Sequence, residues 1–292
     1  MIKKLLSASR PKTLPASIGP VAMGLAIAYS HIGEINTLVA ILTLLCAMFL
    51  QVSTNLINDY YDGVRGIDGE DRIGPTRETA TGGLSKETVK KSFITTLLIS
   101  FIIGIYLMCV GGPTIIAIGL SSILFAFIYT GGPLPLAYYG LGEILAFIFF
   151  GPVAVYGTYF LQTNQFHYAP IVMGCAPGLI SAAIMAINNL RDIKSDSKTT
   201  KITLAILLGE KKARALVLIF VLLSSFVPFV DILYFSKKST VIITSFTMYL
   251  FFKTWKAIAK DFIDEKFNNY LASTGKYLFL YGLVYAITLT LP

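Results

Sequence analysis

Asn55, Asn58, Asp59 and Asp62 recur at i, i+3, i+4 and i+7, the spacing that gathers side chains on one face of a helix. They end a wholly apolar run of about a bilayer's length, so that face sets carboxylates at a membrane boundary. Ionisable groups are costly there and mark function by default. The design returns in the second half, where another apolar run leads into Asn188, Asp192 and Asp196 at i, i+4 and i+8 and then into a basic loop. This spacing predicts one face of a helix that continues out of the membrane. Two carboxylate clusters on one membrane face, with Arg and Lys interspersed, suit magnesium on a substrate diphosphate. Magnesium is usually held by one or two carboxylates plus phosphate oxygens, and the cationic side chains take the oxygens that remain. A diphosphate in a lipid-walled cavity points to a polyprenyl carrier, whose tail lies among apolar helices. Metal and cations then stabilise the leaving diphosphate while an allylic carbocation forms where water is excluded.

The elements that must position these residues are membrane helices. With 292 residues, 55% hydrophobic and only 14% charged, and a mean hydropathy of +0.71, the chain is too apolar for one soluble core. Runs long enough to span about 30 Å of hydrocarbon fall near 14–30, 37–57, 92–110, 113–130, 141–161, 168–190, 214–235, 239–255 and 274–291. The expected fold is all-α, a polytopic membrane bundle of about nine transmembrane helices around a central cavity, with Gly111-Gly112-Pro113 as a tight outer hairpin. Four spans separate the two acidic clusters, so both face the same side. An internal duplication explains this economically: a single domain, 1–292, of two pseudo-repeated halves, about 1–135 and 136–292, with the site between them. Chance recurrence is the alternative.

Placing the N-terminus in the cytoplasm leaves only Lys237 and Lys238 of the 24 Lys and Arg residues on the outer side. That bias obeys the positive-inside rule. It accounts for the net charge of +8 without a nucleic-acid partner, and it sets the acidic clusters on the cytoplasmic side of what is expected to be a bacterial cell membrane. The basic start of the chain leads into the first span without a small-residue cleavage site, so that helix is expected to be retained. Between the first cluster and Lys91 lies a long loop whose charges and glycines favour function over mere solvation. The stretch 129–143, YTGGPLPLAYYGLGE, breaks the helix and is expected at a cavity mouth. Glu143 there is either a helix N-terminal carboxylate or a site residue. Residues 253–276 read as an interfacial amphipathic helix with Trp255 as its anchor. Cys46, Cys109 and Cys175 are too dispersed to bind metal and are expected as small buried apolar residues. His31 and His167 read as remote interfacial side chains, and Asp231 as a solvated cap.

Together the residues resemble the UbiA superfamily of intramembrane aromatic prenyltransferases. RPKTLPASIGPVAMG at 10–24, NDYYDGVRGIDGEDRIGPTR at 58–77, GGLS at 82–85, the 129–143 stretch and NNLRDIKSDSKTTKITLAILLGEKKAR at 188–214 carry the likeness. DRIGPTR points to its naphthoate-prenylating branch. The resemblance implies Asn58, Asp59 and Asp62 in a first magnesium motif, with Asp68 as its later acid, and Asp192 and Asp196 in a second. Asp59, Asp62, Asp192 and Asp196 are the residues on which catalysis would depend. Asn55, Arg72, Arg77 and Lys201 are implied at the substrate, with Lys12 and Arg191 beside them, and Tyr129 as a mouth tyrosine that holds diphosphate or shields the cation. Many relatives carry a basic residue after that tyrosine; here Leu134 and Pro135 stand instead, which shifts weight onto Arg72, Arg77 and Lys201. The implied reaction takes polyprenyl diphosphate and 1,4-dihydroxy-2-naphthoate with Mg2+ to demethylmenaquinone, with loss of carbon dioxide.

Three other readings bear on the same residues. CDP-alcohol phosphotransferases also carry acidic clusters beginning DxxDG, but here Val64-Arg65 follows at once and the remaining acids do not recur at that spacing. A divalent-cation transporter would place acids along the spans, whereas here they sit at one edge. A UbiA-type enzyme acting on another aromatic acceptor, such as 4-hydroxybenzoate, keeps every residue role and changes only the acceptor. Prenyl chain length and oligomeric state are not encoded in these motifs.

Overall fold

A computed structural model of the protein describes residues 2–66, 73–74 and 77–291, the side chains of Ile2 and Lys12 excepted. Among the described residues the regular structure is helical, with no β-strand. The helices are α1 (Ile2–Ser9), α2 (Pro15–Ile32), α3 (Thr37–Arg65), α4 (Lys86–Ile128), α5 (Gly142–Phe150), α6 (Pro152–Thr163), α7 (Tyr168–Arg191), α8 (Ile193–Asp196), α9 (Leu204–Leu208), α10 (Glu210–Tyr234), α11 (Ile243–Phe246), α12 (Phe252–Lys260) and α13 (Phe267–Thr290). Local sequence fixes several of their ends. Asn36 and Ser85 cap α3 and α4, accepting from the amides of Val39 and Thr88. Gly33 and Gly66 close α2 and α3 in the left-handed region, at φ 73° and 65°.

Among the described residues five stretches are long and apolar enough to cross a membrane: Thr37–Arg65, Lys86–Ile128, Gly142–Thr163, Tyr168–Arg191 and Glu210–Tyr234. The chain is an integral membrane protein. Within α4 the expected hairpin is present. Gly112 adopts φ 58°, ψ −149° ahead of Pro113, and a Cβ at Gly119 would lie 2.6 Å from the end of Met108, so the two arms run side by side. Gly151 similarly breaks the expected 141–161 span into α5 and α6.

Helix α7 is the central element, two-thirds buried and packed by α5, α6, α10 and α13, while α2 packs on α13 and α6. A Cβ on Gly282 would sit 2.6 Å from the Gly19 carbonyl oxygen, so α2 and α13 approach through small residues, as membrane helices do. Met23, Ile180, Ile187, Tyr277 and Tyr281 fill the core between them.

Six expectations need correction. The 239–255 span is a chain of short 3-10 and α pieces through Phe251, in keeping with its run of β-branched and hydroxyl residues. The amphipathic stretch 253–276 is divided: α12 ends at Lys260, and an aspartate turn, in which Asp264 accepts from the Lys266 amide, precedes α13. Trp255 is buried, its Nε1 donating to the Met248 carbonyl at 2.8 Å. Asp231 is also buried, accepting from Ser236 and Tyr285. The two histidines, far apart in sequence, meet edge-to-face with ring centroids 4.7 Å apart, and Cys109 is exposed.

Candidate active site

The apolar run of α3 continues as helix to Arg65, as the spacing requires, and turns Asn55, Asn58 and Asp62 toward a chamber of about 480 Å³. Asp62 accepts from the Tyr138 hydroxyl at 2.9 Å and from Arg77 at 2.5 Å. Burial and the Asp62 carboxylate hold the Tyr138 hydroxyl above its usual pKa, so it remains a donor. Asn58 accepts from Thr130. Asn55 donates to the Ser9 carbonyl and to Thr13, which ties the N-terminal leader over the chamber. Asp59 faces elsewhere. Its carboxylate accepts from the amides of Glu78 and Thr79 and from the Thr79 hydroxyl at 3.1, 3.0 and 2.6 Å, which fastens the returning loop to α3.

The second cluster is built differently from its expected continuous helix. Helix α7 stops at Arg191, and Asp192 leaves the helical region at φ −93°, ψ 9° before the single turn of α8. The bend lets Arg191, only 2% exposed, fold back. Its guanidinium donates twice to Asp192, at 2.9 and 2.6 Å, and also to Asn188 and Asn268. Asp196 pairs with Lys201 at 3.1 Å. The two clusters meet through Gly74, where a Cβ would lie 2.5 Å from the Arg191 guanidinium, and through Asn268, which donates to the Ile73 carbonyl.

The chamber thus collects Asn55, Asn58, Asp62, Arg77, Tyr129, Arg191 and Lys201. Asp192 and Asp196 stand behind the last two as their ion-pair partners. Asp68 and Arg72 lie outside the described residues, as does the side chain of Lys12. Sequence reasoning missed Arg10, a wall residue of the chamber, and Arg65, whose guanidinium donates to the carbonyls of Thr130 and Gly132 between the rings of Tyr61 and Tyr138. Arg65 lies one turn beyond Asp62 on the same helix, a signal that could have found it. Asn268 has no such local signal.

Beyond Tyr129 a second chamber, of about 290 Å³, is walled by Leu50, Leu107, Ile115, Phe125 and Phe149. It shares Asn58, Tyr129 and Met185 with the first, and the Tyr129 hydroxyl donates to the Met185 sulfur at 3.3 Å. Polar mouth and apolar interior therefore adjoin along a common wall that includes Tyr129. The donor set fits magnesium. Asn58, Asp62, Asp192 and Asp196 offer oxygen only, and among the described residues no His or Cys lines the polar chamber. Among the described residues no three acidic, His or Cys side chains converge into a ready-made cage.

Known proteins resemble this chain in sequence and in fold. The chain is 39% identical over 212 residues to the 1,4-dihydroxy-2-naphthoate octaprenyltransferase of Mycobacterium tuberculosis, covering 72% of each chain. It is 40% identical over 215 residues to the Escherichia coli protein of the same name, covering 72% of this chain and 70% of that one. Its fold superposes on a UbiA homologue from Archaeoglobus fulgidus bound to GPP and Mg2+ with a TM-score of 0.69, at 16% identity over 97% of this chain and 99% of that one. The model of the UbiA prenyltransferase family matches residues 17–283, and the chain belongs to that family.

Proposed function

We propose that the protein transfers a polyprenyl group from polyprenyl diphosphate to 1,4-dihydroxy-2-naphthoate with loss of carbon dioxide and diphosphate, giving demethylmenaquinol, the hydroquinone form of demethylmenaquinone. The observation that carries this reading is the junction at Tyr129, where a cationic and acidic chamber opens directly onto an apolar one. A diphosphate fits the first and its prenyl tail the second, so the scissile C–O bond comes to lie at the boundary. Arg77, Arg191 and Lys201 would bind phosphate oxygens, with Arg72 and Lys12 as further cations. Asn58, Asp62, Asp192 and Asp196 would hold magnesium, with Asp68 as the later acid of the first motif. When bound, the metal supplies positive charge against the leaving diphosphate. Asp59 serves by fixing the loop that carries Arg77. The apolar walls exclude water from the allylic cation, which an electron-rich ring carbon of the naphthoate attacks as the diphosphate departs; the ring carboxylate leaves as carbon dioxide. The names of the bacterial relatives support the acceptor, and the GPP and Mg2+ of the Archaeoglobus homologue support the donor and metal.

The same reading extends to the bundle. We take the two arms of α4, the α5–α6 pair and the 239–260 segment as membrane crossings, which with α2, α3, α7, α10 and α13 makes nine. The N-terminus and the polar chamber then face the cytoplasm of a bacterial cell. One domain, 1–292, comprises two pseudo-repeated halves, each carrying an acid where an inward helix ends.

The test offers dihydroxynaphthoate and 4-hydroxybenzoate separately to membranes containing the protein, with a long-chain prenyl diphosphate, with and without magnesium. Magnesium-dependent prenylated lipid and carbon dioxide from the naphthoate alone is the expected result. Product from 4-hydroxybenzoate alone would retain the fold and the metal and overturn the acceptor.

A further inference from the structure

Glu143 opens α5 inside the bundle, 2% exposed, and its two carboxyl oxygens are treated unequally. Oε1 accepts from the Asn189 side-chain amide at 2.9 Å. Oε2 is buried and has no hydrogen-bond partner among the described residues. A helix N-terminus accommodates a carboxylate, but solvated headgroup depth would serve that purpose at lower cost than burial with half its capacity unused. The other end of the pair gives the reason. Asn189 lines the polar chamber, on the face of α7 that also presents Ser181, Met185 and Asn188. A carboxyl oxygen taking one of its N–H bonds fixes which way the amide lies. With one Nδ2 N–H held by Glu143 the amide cannot flip, and the Asn189 carbonyl oxygen is its acceptor for the chamber.

A carbonyl oxygen is the wrong group for a diphosphate, whose oxygens only accept. It is the right group for a hydroxyl. We infer that Asn189, oriented by Glu143, binds a ring hydroxyl of the aromatic acceptor and so selects hydroxylated acceptors, an assignment that rests on the prenyl-transfer reading above. Cations and carbonyl divide the chamber by chemistry: Arg77, Arg191 and Lys201 take the phosphate oxygens, and Asn189 takes the O–H. A hydroxyl that donates to a carbonyl keeps more electron density on its oxygen, and hence on the ring carbons ortho and para to it. Those are the carbons that attack an allylic cation. Asn189 would touch substrate; Glu143 acts through it as a positioning residue.

The experiment compares 1,4-dihydroxy-2-naphthoate with 1-hydroxy-2-naphthoate and 4-hydroxy-2-naphthoate, each lacking one hydroxyl, in wild type, Asn189→Leu and Glu143→Gln. Wild type should prefer the dihydroxy acceptor over one of the two monohydroxy acceptors by about tenfold or more in kcat/KM, the upper range for one hydrogen bond. Asn189→Leu should erase that preference by raising KM for the dihydroxy acceptor about tenfold, with KM for prenyl diphosphate within twofold of wild type. Glu143→Gln, whose amide can pair with Asn189 in either sense, should lie between them. Should Asn189→Leu fail to accumulate in membranes, Glu143→Gln decides on the same ratio. An equal fall for all three acceptors would mark a structural role and overturn the inference, as would a raised KM for prenyl diphosphate. Absence of any naphthoate turnover in wild type would overturn the parent reading with it, whereas wild-type turnover and unaltered discrimination in the variants would overturn this inference alone.

Discussion

Asp59 and Asp62 are three residues apart and both belong to the motif, yet they do different work. At 100° per residue they are only about 60° apart around α3, which is why spacing alone places both on the functional face. The tertiary partners separate them: Asp59 takes two backbone amides and a hydroxyl of the loop, and Asp62 takes Arg77 and Tyr138 beside the chamber. Asp62→Asn should therefore lower kcat by about 100-fold or more, the scale of one lost charge-stabilising group. Asp59→Asn turns an N–H donor toward donors and should cost about 1.5–3 kcal/mol of stability, read as a lower melting temperature in detergent. Wild-type kcat in Asp62→Asn, or wild-type melting in Asp59→Asn, would show that the partition is wrong. Arg77→Lys keeps the charge and loses the planar fork, so KM for prenyl diphosphate should rise about tenfold while KM for the acceptor stays near wild type.

The elements were legible where one physical signal dominated. Apolar length marked α3, α7 and α10, and glycine followed by proline marked the reversal in α4. The signal failed where packing overrode it. Nothing in the spacing of Asn188, Asp192 and Asp196 reveals that α7 ends at Arg191, because the bend is held by Arg191 reaching partners as distant as Asn268. Trp255 was misplaced for a like reason: an indole suits an interface and a core equally, and the Met248 carbonyl is what commits it to the core. Gly74 illustrates a residue whose role exists only between elements. Its backbone lies against the Arg191 guanidinium, so Gly74→Ala must displace a group held by Asp192, Asn188 and Asn268. The expected outcome is a tenfold or greater fall in kcat/KM, since a displacement of about 1 Å at a positioned group costs on the order of 100-fold, with far-ultraviolet dichroism unchanged. Wild-type kinetics in Gly74→Ala would release Arg191 from the site.

For the whole molecule the decisive feature is the path of α4. Its 43 residues would extend about 64 Å as one straight helix, twice the hydrocarbon thickness. Yet Arg65, at the end of α3, donates to the carbonyls of Thr130 and Gly132 just past the end of α4, and Lys4 of α1 donates to Gly83 just before its start. Asn55 joins that same leader to α3 two turns before Asp62. Both ends of α4 are thereby tied to one end of the bundle, and only a reversal at Gly112 allows it. This closure brings the loop carrying Arg77 and the loop carrying Tyr129 and Tyr138 over a single chamber, so the catalytic reading depends on it. With Cys46, Cys109 and Cys175 first replaced by Ser, Lys86→Cys and Tyr139→Cys should both react with a membrane-impermeant maleimide in inside-out vesicles and resist it in intact cells. Lys237→Cys, across the single span of α10 from the polar chamber, should show the reverse. Labelling of Lys86→Cys and Tyr139→Cys from opposite sides would mean that α4 crosses once, and the two loops could then not share a site.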